Sequence, residues 1–120
     1  MSAADDEYPL SALRIPAGWL VDYNQFCTMP AEHPMAWSVV CKHTLLMLRH
    51  VRRDVLVDLS WTPAEDPDGG YWLRVFQHDH CGRELFSFES RDREKVIGEI
   101  ELLLEAIGSV RFAPLGDETA

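Results

Sequence analysis

The chain has 120 residues, 47% hydrophobic and 26% charged, which fits one globular domain and excludes wholesale disorder and collagen-like or linker compositions. Twenty acidic residues against eleven basic ones give a formal charge of −9, a surface that repels phosphate and argues against non-specific nucleic-acid binding. Leu45–Leu48, the longest apolar run, falls far short of the ~20 residues of a membrane span, and three widely spaced cysteines (Cys27, Cys41, Cys81) make no disulfide framework.

The acidic start, Met-Ser-Ala-Ala-Asp-Asp-Glu, lacks the apolar stretch of a signal peptide, so a cytoplasmic protein with reduced thiols is expected. Residues 1–13 read as a flexible acidic arm and residues 111–120 as a flexible tail, leaving one domain over 14–110. Pro16 and Gly18 open a strand over Trp19–Phe26, which the proline-containing stretch Thr28–Pro34 ends. Beyond Pro34, Trp37, Val40, Cys41, Thr44, Leu45, Leu48 and Val51 recur at three- and four-residue steps, with Arg49, Arg52 and Arg53 crowding the end. That spacing predicts a first helix over 35–53. The β-branched Val39, Val40 and Thr44 make two strands the rival reading.

Val55, Val57, Leu59 and Trp61 alternate with Leu56, Asp58 and Ser60, a clear strand signal. A loop over Thr62–Gly70, a strand over 71–77, a turn over 78–83 and a strand over 84–89 follow. A second helix is predicted from Arg91 to Ile107, with Ser90 or Asp92 as cap and Val96, Ile97, Ile100, Leu103, Leu104 and Ile107 as buried stripe. Gly108 ends it where a left-handed residue is wanted. Gly98, inside it, costs ~1 kcal/mol relative to Ala, which close packing on a neighbour would explain.

The expected fold is therefore α+β, a two-layer sandwich in the order β-α-β-β-β-α. A mostly antiparallel four-stranded sheet carries two helices on one face and leaves the other face solvated or bound. Trp37, Leu48, Val57, Leu59, Phe86, Ile100, Leu103 and Leu104 are the expected core. If Tyr71 and Leu73 face the helices, Trp72 and Arg74 face the open side.

Chemical motifs are sparse. His78-Asp79-His80-Cys81 is the densest set of possible metal ligands, and alternation would aim His78 and His80 to one side. Cys27, His33, Cys41 and His43 lie elsewhere, but no paired zinc spacing exists, so a polar turn and no metal is expected. Glu65-Asp66-Pro67-Asp68-Gly69-Gly70 fails the EF-hand pattern. No nucleophile elbow, glycine-rich phosphate loop or cysteine-protease signature occurs, so no catalytic residue and no cofactor is assigned. Arg91, Arg93 and Lys95 stand where double-stranded-RNA-binding domains carry cations, but Asp92 and Glu94 interleave with them, giving a solvated face.

Charge is uneven. Residues 34–62 carry four basic against two acidic residues, while 63–90 carry six acidic against two basic. On the last helix Glu94, Glu101 and Glu105 fall within about 40° of one another. Such a face serves solubility or docks a cationic partner.

Three patches bear a resemblance. Ile15-Pro16-Ala17-Gly18-Trp19 leading to Tyr23-Asn24-Gln25-Phe26 is one. Val57-Asp58-Leu59-Ser60-Trp61-Thr62-Pro63 before Asp66-Pro67-Asp68-Gly69 is another, and Ser90-Arg91-Asp92-Arg93-Glu94-Lys95-Val96 closes the set. They resemble small bacterial immunity proteins, the cognate inhibitors of polymorphic or contact-delivered toxins. The resemblance implies a non-enzymatic cytoplasmic protein that binds one toxin domain, with no nucleic acid or membrane as partner. Acidic charge would steer such an inhibitor to a cationic domain, and exposed aromatics would anchor it. The candidate contact residues are Glu65, Asp66, Asp68, Trp72 and Asp79, on the expectation that they cluster at one edge of the sheet. A small acidic secretion chaperone, usually dimeric, is the alternative, and monomer or dimer is left open.

Overall fold

A computed structural model describes residues 9–30 and 32–109, with the side chains of Trp37 and Ser38 outside the description. Strands β1 (Trp19–Asn24), β2 (Leu46–His50), β3 (Val55–Thr62), β4 (Gly70–Gln77) and β5 (Glu84–Ser90) form one sheet in the order β1-β2-β3-β4-β5, every pair antiparallel. A one-turn helix, α1 (Ala36–Val39), precedes β2, and α2 (Arg93–Gly108) follows β5. The expected four-stranded sheet with two helices is thus overturned: the described residues form a five-stranded sheet with a single long C-terminal helix.

The error lies in residues 35–53. The three- and four-residue spacing holds across the segment, but Leu46, Leu48 and His50 are buried while Met47 and Arg49 are half-exposed, a period of two. β2 is the only strand joining β1 to β3, so its backbone makes ladder bonds on both sides that a helix would forgo. Between α1 and β2 the chain stays irregular and is held by β3. Leu45 N–H donates to the Leu59 carbonyl, and the Lys42 carbonyl accepts from Trp61 N–H. The arginines expected at a helix end are dispersed. Arg49 pairs with Asp22 across β1–β2 at 2.8 Å. Arg53 donates to the Ser109 carbonyl, so its charge complements the C-terminus of α2 instead.

The meander of the last three strands is as expected. Asp92 caps α2, its carboxylate accepting from Glu94 and Lys95 N–H at 3.0 and 3.3 Å. Val96, Ile100, Leu104 and Ile107 bury against the sheet, and Trp19 Nε1–H donates to the Leu104 carbonyl at 3.2 Å. Phe26, Trp61 and Tyr71 pack edge to face beside them. Of the expected core, Leu48, Val57, Leu59, Ile100 and Leu104 are fully buried. Phe86 and Leu103 are only partly buried, and the Trp37 side chain lies outside the described residues.

Gly108 is not left-handed; Gly18, at φ 101°, is. A Cβ on Gly108 would lie 3.6 Å from Trp19 Nε1 and 3.7 Å from His50 Nε2, ordinary contact distances, so close approach does not account for this glycine. Packing does not account for Gly98, whose missing Cβ has nothing within 4 Å. The expected tail, 111–120, and residues 1–8 of the expected arm lie outside the described residues. Ser11 N–H donates to the Phe26 carbonyl and Thr28 N–H to that of Pro9, pinning the start of the described chain.

His50 is 5% exposed and meets the Trp19 ring edge to face at 5.0 Å. Its Nδ1 accepts from Arg53 N–H at 3.1 Å, so Nε2 carries the proton. Burial first, then the charges of Arg53 and Arg52, holds its pKa below the ordinary 6.5. The unfolded chain therefore takes up this proton before the folded chain does. The stability concerned is intact above about pH 6.5 and is lost as pH falls toward the folded pKa.

Two measurements test this fold. In urea titrations Leu104→Ala lowers unfolding free energy by ~2–5 kcal/mol and Leu103→Ala by clearly less, because only Leu104 is fully enclosed. Between about pH 7 and pH 5 the parent loses more stability than His50→Gln, which keeps an acceptor for Arg53 without the titration; equal slopes would refute the assignment.

Candidate functional site

Helix α2 and the segment around Phe26 cover one sheet face. The other face carries no layer among the described residues. Register places Leu56, Asp58 and Ser60 of β3 there, beside Phe76, Arg74 and Trp72 of β4, which in turn oppose Glu84, Ser87 and Glu89 of β5.

Despite the missing layer, Asp58 is only 1% exposed. A buried carboxylate needs donors, and three surround it. Ser60 Oγ donates at 3.0 Å, Arg74 Nη2 at 3.2 Å, and His80 Nε2 lies at 3.4 Å. Arg74 stacks over the Trp72 ring at 3.9 Å and stands 5.0 Å from the Phe76 ring. His80 tilts against Phe76 at 5.1 Å, and Trp72 Nε1–H donates to Ser87 Oγ at 2.9 Å. The buried Arg74 Nε has no hydrogen-bond partner among the described residues. The result is a flat platform of Trp72, Arg74, Phe76 and His80, held from below by one aspartate and flanked along β5 by the exposed Glu84 and Glu89.

The five candidate contact residues do not form one patch. Glu65, Asp66 and Asp68 lie in the β3–β4 loop, at the Gly70 end of β4. Asp79 lies in the β4–β5 turn at its Gln77 end, about 23 Å away along the strand. Trp72 sits on the open face near the loop end, half-buried. The loop is fastened inward: Trp61 Nε1–H donates to the Asp66 carbonyl, and Arg91 to the carbonyls of Pro67 and Gly69. Arg91, although exposed, thus clamps the loop. Asp66 itself accepts from Asp68 N–H at 2.9 Å.

His78 and His80 diverge rather than share a side. His78, at φ 74°, bonds Asp54 at 3.0 Å, whose carboxylate favours the charged imidazole and raises its pKa. Asp79 accepts from Cys81 N–H. Among the described residues no group of three or more His, Cys, Asp or Glu is placed to hold a metal.

Alternation along β4 pointed to Trp72 and Arg74 on the open side, and register bears this out. Asp58 was missed because a polar residue in an alternating strand reads as solvent-facing. Comparison with known proteins finds no matching family model, no matching curated protein and no matching solved structure. Among the described residues no helix is long and apolar enough to cross a membrane.

Removing the central acid tests the platform. Asp58→Ala strands Arg74 over a buried gap and lowers stability by ~3–5 kcal/mol in chemical denaturation. A loss below ~1 kcal/mol would show that the network carries little.

Proposed function

We propose that the protein is a non-enzymatic cytoplasmic binding protein, an immunity protein that neutralises a cognate bacterial toxin domain by direct contact. The observation that carries this reading is the uncovered sheet face, with Trp72 and Arg74 stacked at its centre and Glu84 and Glu89 along its margin. Trp and Arg are the side chains that most often anchor protein interfaces, and an interface core works best when such groups are already fixed. The −9 charge draws a cationic domain toward the protein. On this reading the chain needs no cofactor, binds neither nucleic acid nor membrane, and contacts its partner through Trp72. Of the acidic candidates, Glu65, Asp66 and Asp68 would contribute from the loop end and Asp79 from the turn end.

One observation favours the chaperone alternative. Leu20, Val21 and Tyr23 are exposed along β1, at the open edge of the sheet, where an extended client or a second copy would find an apolar strip. Dimerisation without any partner separates the two readings.

The test is to look beside this gene for an encoded toxin domain and to co-express the two. Protection is expected, with a complex that survives purification. Trp72→Ala speeds dissociation by more than ~1 kcal/mol, whereas Asp68→Lys with Glu89→Lys mainly slows association and flattens its salt dependence. Cells that die as fast with the protein as without it, and yield no complex, overturn the reading.

A further inference from the structure

The charge pattern of the open face is not that of a simple acidic surface. Its margin along β5 is acidic, with Glu84 and Glu89 exposed on the same face as Arg74, but its centre is a guanidinium. Asp58 does not cancel that centre for an incoming group, since it is 1% exposed and already accepts from Ser60 and Arg74, with His80 Nε2 at 3.4 Å.

Arginine has five N–H donors in a rigid fork. Arg74 spends one at Nη2 on Asp58, while Nε is buried and unpartnered. Nε itself is out of reach of solvent, but the side chain is still 21% exposed, so the rest of the fork keeps donors for an incoming acceptor. The side chain is also held in place, stacked on the Trp72 ring, near the Phe76 ring and paired with Asp58. An acceptor arriving there meets a group that loses little freedom on binding.

We infer that Arg74 is the central contact of the open face and receives an acidic side chain of the partner protein, one set among basic residues. The inference rests on the binding reading above and specifies the partner's chemistry. A lone anion or a nucleic acid would match Arg74 but be repelled by Glu84 and Glu89. A uniformly basic segment would match those glutamates but be repelled by Arg74. A second copy of this chain would bring acidic margins together. A carboxylate flanked by lysine or arginine satisfies centre and margin together, and only in one register, which is how alternating charge gives specificity.

Two synthetic peptides, Lys-Lys-Glu-Lys-Lys and Lys-Lys-Gln-Lys-Lys, test this against the full chain. Side-chain and backbone nitrogen–proton NMR spectra give the site and the affinity. The Glu peptide shifts the Arg74 Nε–H signal and binds about fivefold or more tighter than the Gln peptide, since a charge-assisted pair replaces a neutral one. Arg74→Gln, checked for folding by its amide dispersion, leaves Asp58 a donor but takes away the cation, and so removes the preference. A double variant, Glu84→Gln with Glu89→Gln, weakens both peptides and leaves their ratio intact. Equal affinities, shifts centred elsewhere, or no binding at millimolar peptide overturn the inference. Toxin protection with equal peptide affinities sinks only the carboxylate contact. A clear Glu preference without protection sinks only the immunity reading.

Discussion

Strand β3 is buried on both faces, although among the described residues only one face carries a second layer. The second burial comes from the ion pair between Asp58 and Arg74 and the side chains it arranges. Arg74, drawn down onto Asp58, lies flat on Trp72 and against Phe76, and His80 folds in from the turn to close the other side. Under this cover Leu56 is 2% exposed and Phe76 5%. A buried ion pair adds little net stability over an apolar pair of similar shape. What it contributes is register. A one-residue slip of β3 against β4 would bring Asp58 opposite Leu73 or Val75, on the core face, with no donor. The pair that roofs the sheet therefore also fixes how the central strands align.

How much of this was legible in the sequence follows from where tertiary contacts decide. Helix α2 and the β3–β4–β5 meander were legible because their patterns are long and their turn signals local: a capping Asp92, and loops rich in Pro, Asp and Gly. β2 was not. It is five residues long, and its neighbours Val40, Cys41, Thr44 and Val51 complete a helical stripe by coincidence. His50 hid the true alternation, since a histidine in a buried position does not count as apolar in a pattern. It is buried because its ring meets Trp19 and its Nδ1 takes a backbone N–H, and both partners are identified only by folding.

The platform divides the same way. The facing of Trp72 and Arg74 follows from period two along β4 and was readable. Asp58 was seen as the polar half of an alternation, but its burial depends on a cation one strand away. In the sequence His80 is one of a clustered pair with His78. The positive φ at His78, stabilised by the bond to Asp54, sends the two imidazoles to different carboxylates. Composition singles out the acidic candidates but carries no information about which end of a strand a loop occupies. Whole-chain charge sets the long-range field that brings a partner near, whereas the short-range pattern, cationic at Arg74 and acidic at Glu84 and Glu89, sets the alignment.

The edges of the sheet bear on which surface meets a partner. β1 offers an apolar edge, with Leu20 and Val21 each about half exposed, and β5 a polar one. Main-chain strand addition needs a regular row of donors and acceptors, and both edges are interrupted. The β1–β2 ladder shifts register between Val21 and Tyr23, and the β4–β5 ladder between Val75 and Phe76. Bulges of this kind twist an edge away from a straight incoming strand and are a usual guard against unwanted pairing. Side-chain recognition on the open face is under no such restriction. Its anchors stand on β4, next to the acidic margin and away from the apolar edge of β1. An extended client laid along β1 would leave Trp72 and Arg74 unused, whereas a folded domain seated over β4 and β5 engages both. The arrangement therefore favours a folded partner over a threaded one, and this is the physical ground for preferring the immunity reading to the chaperone reading.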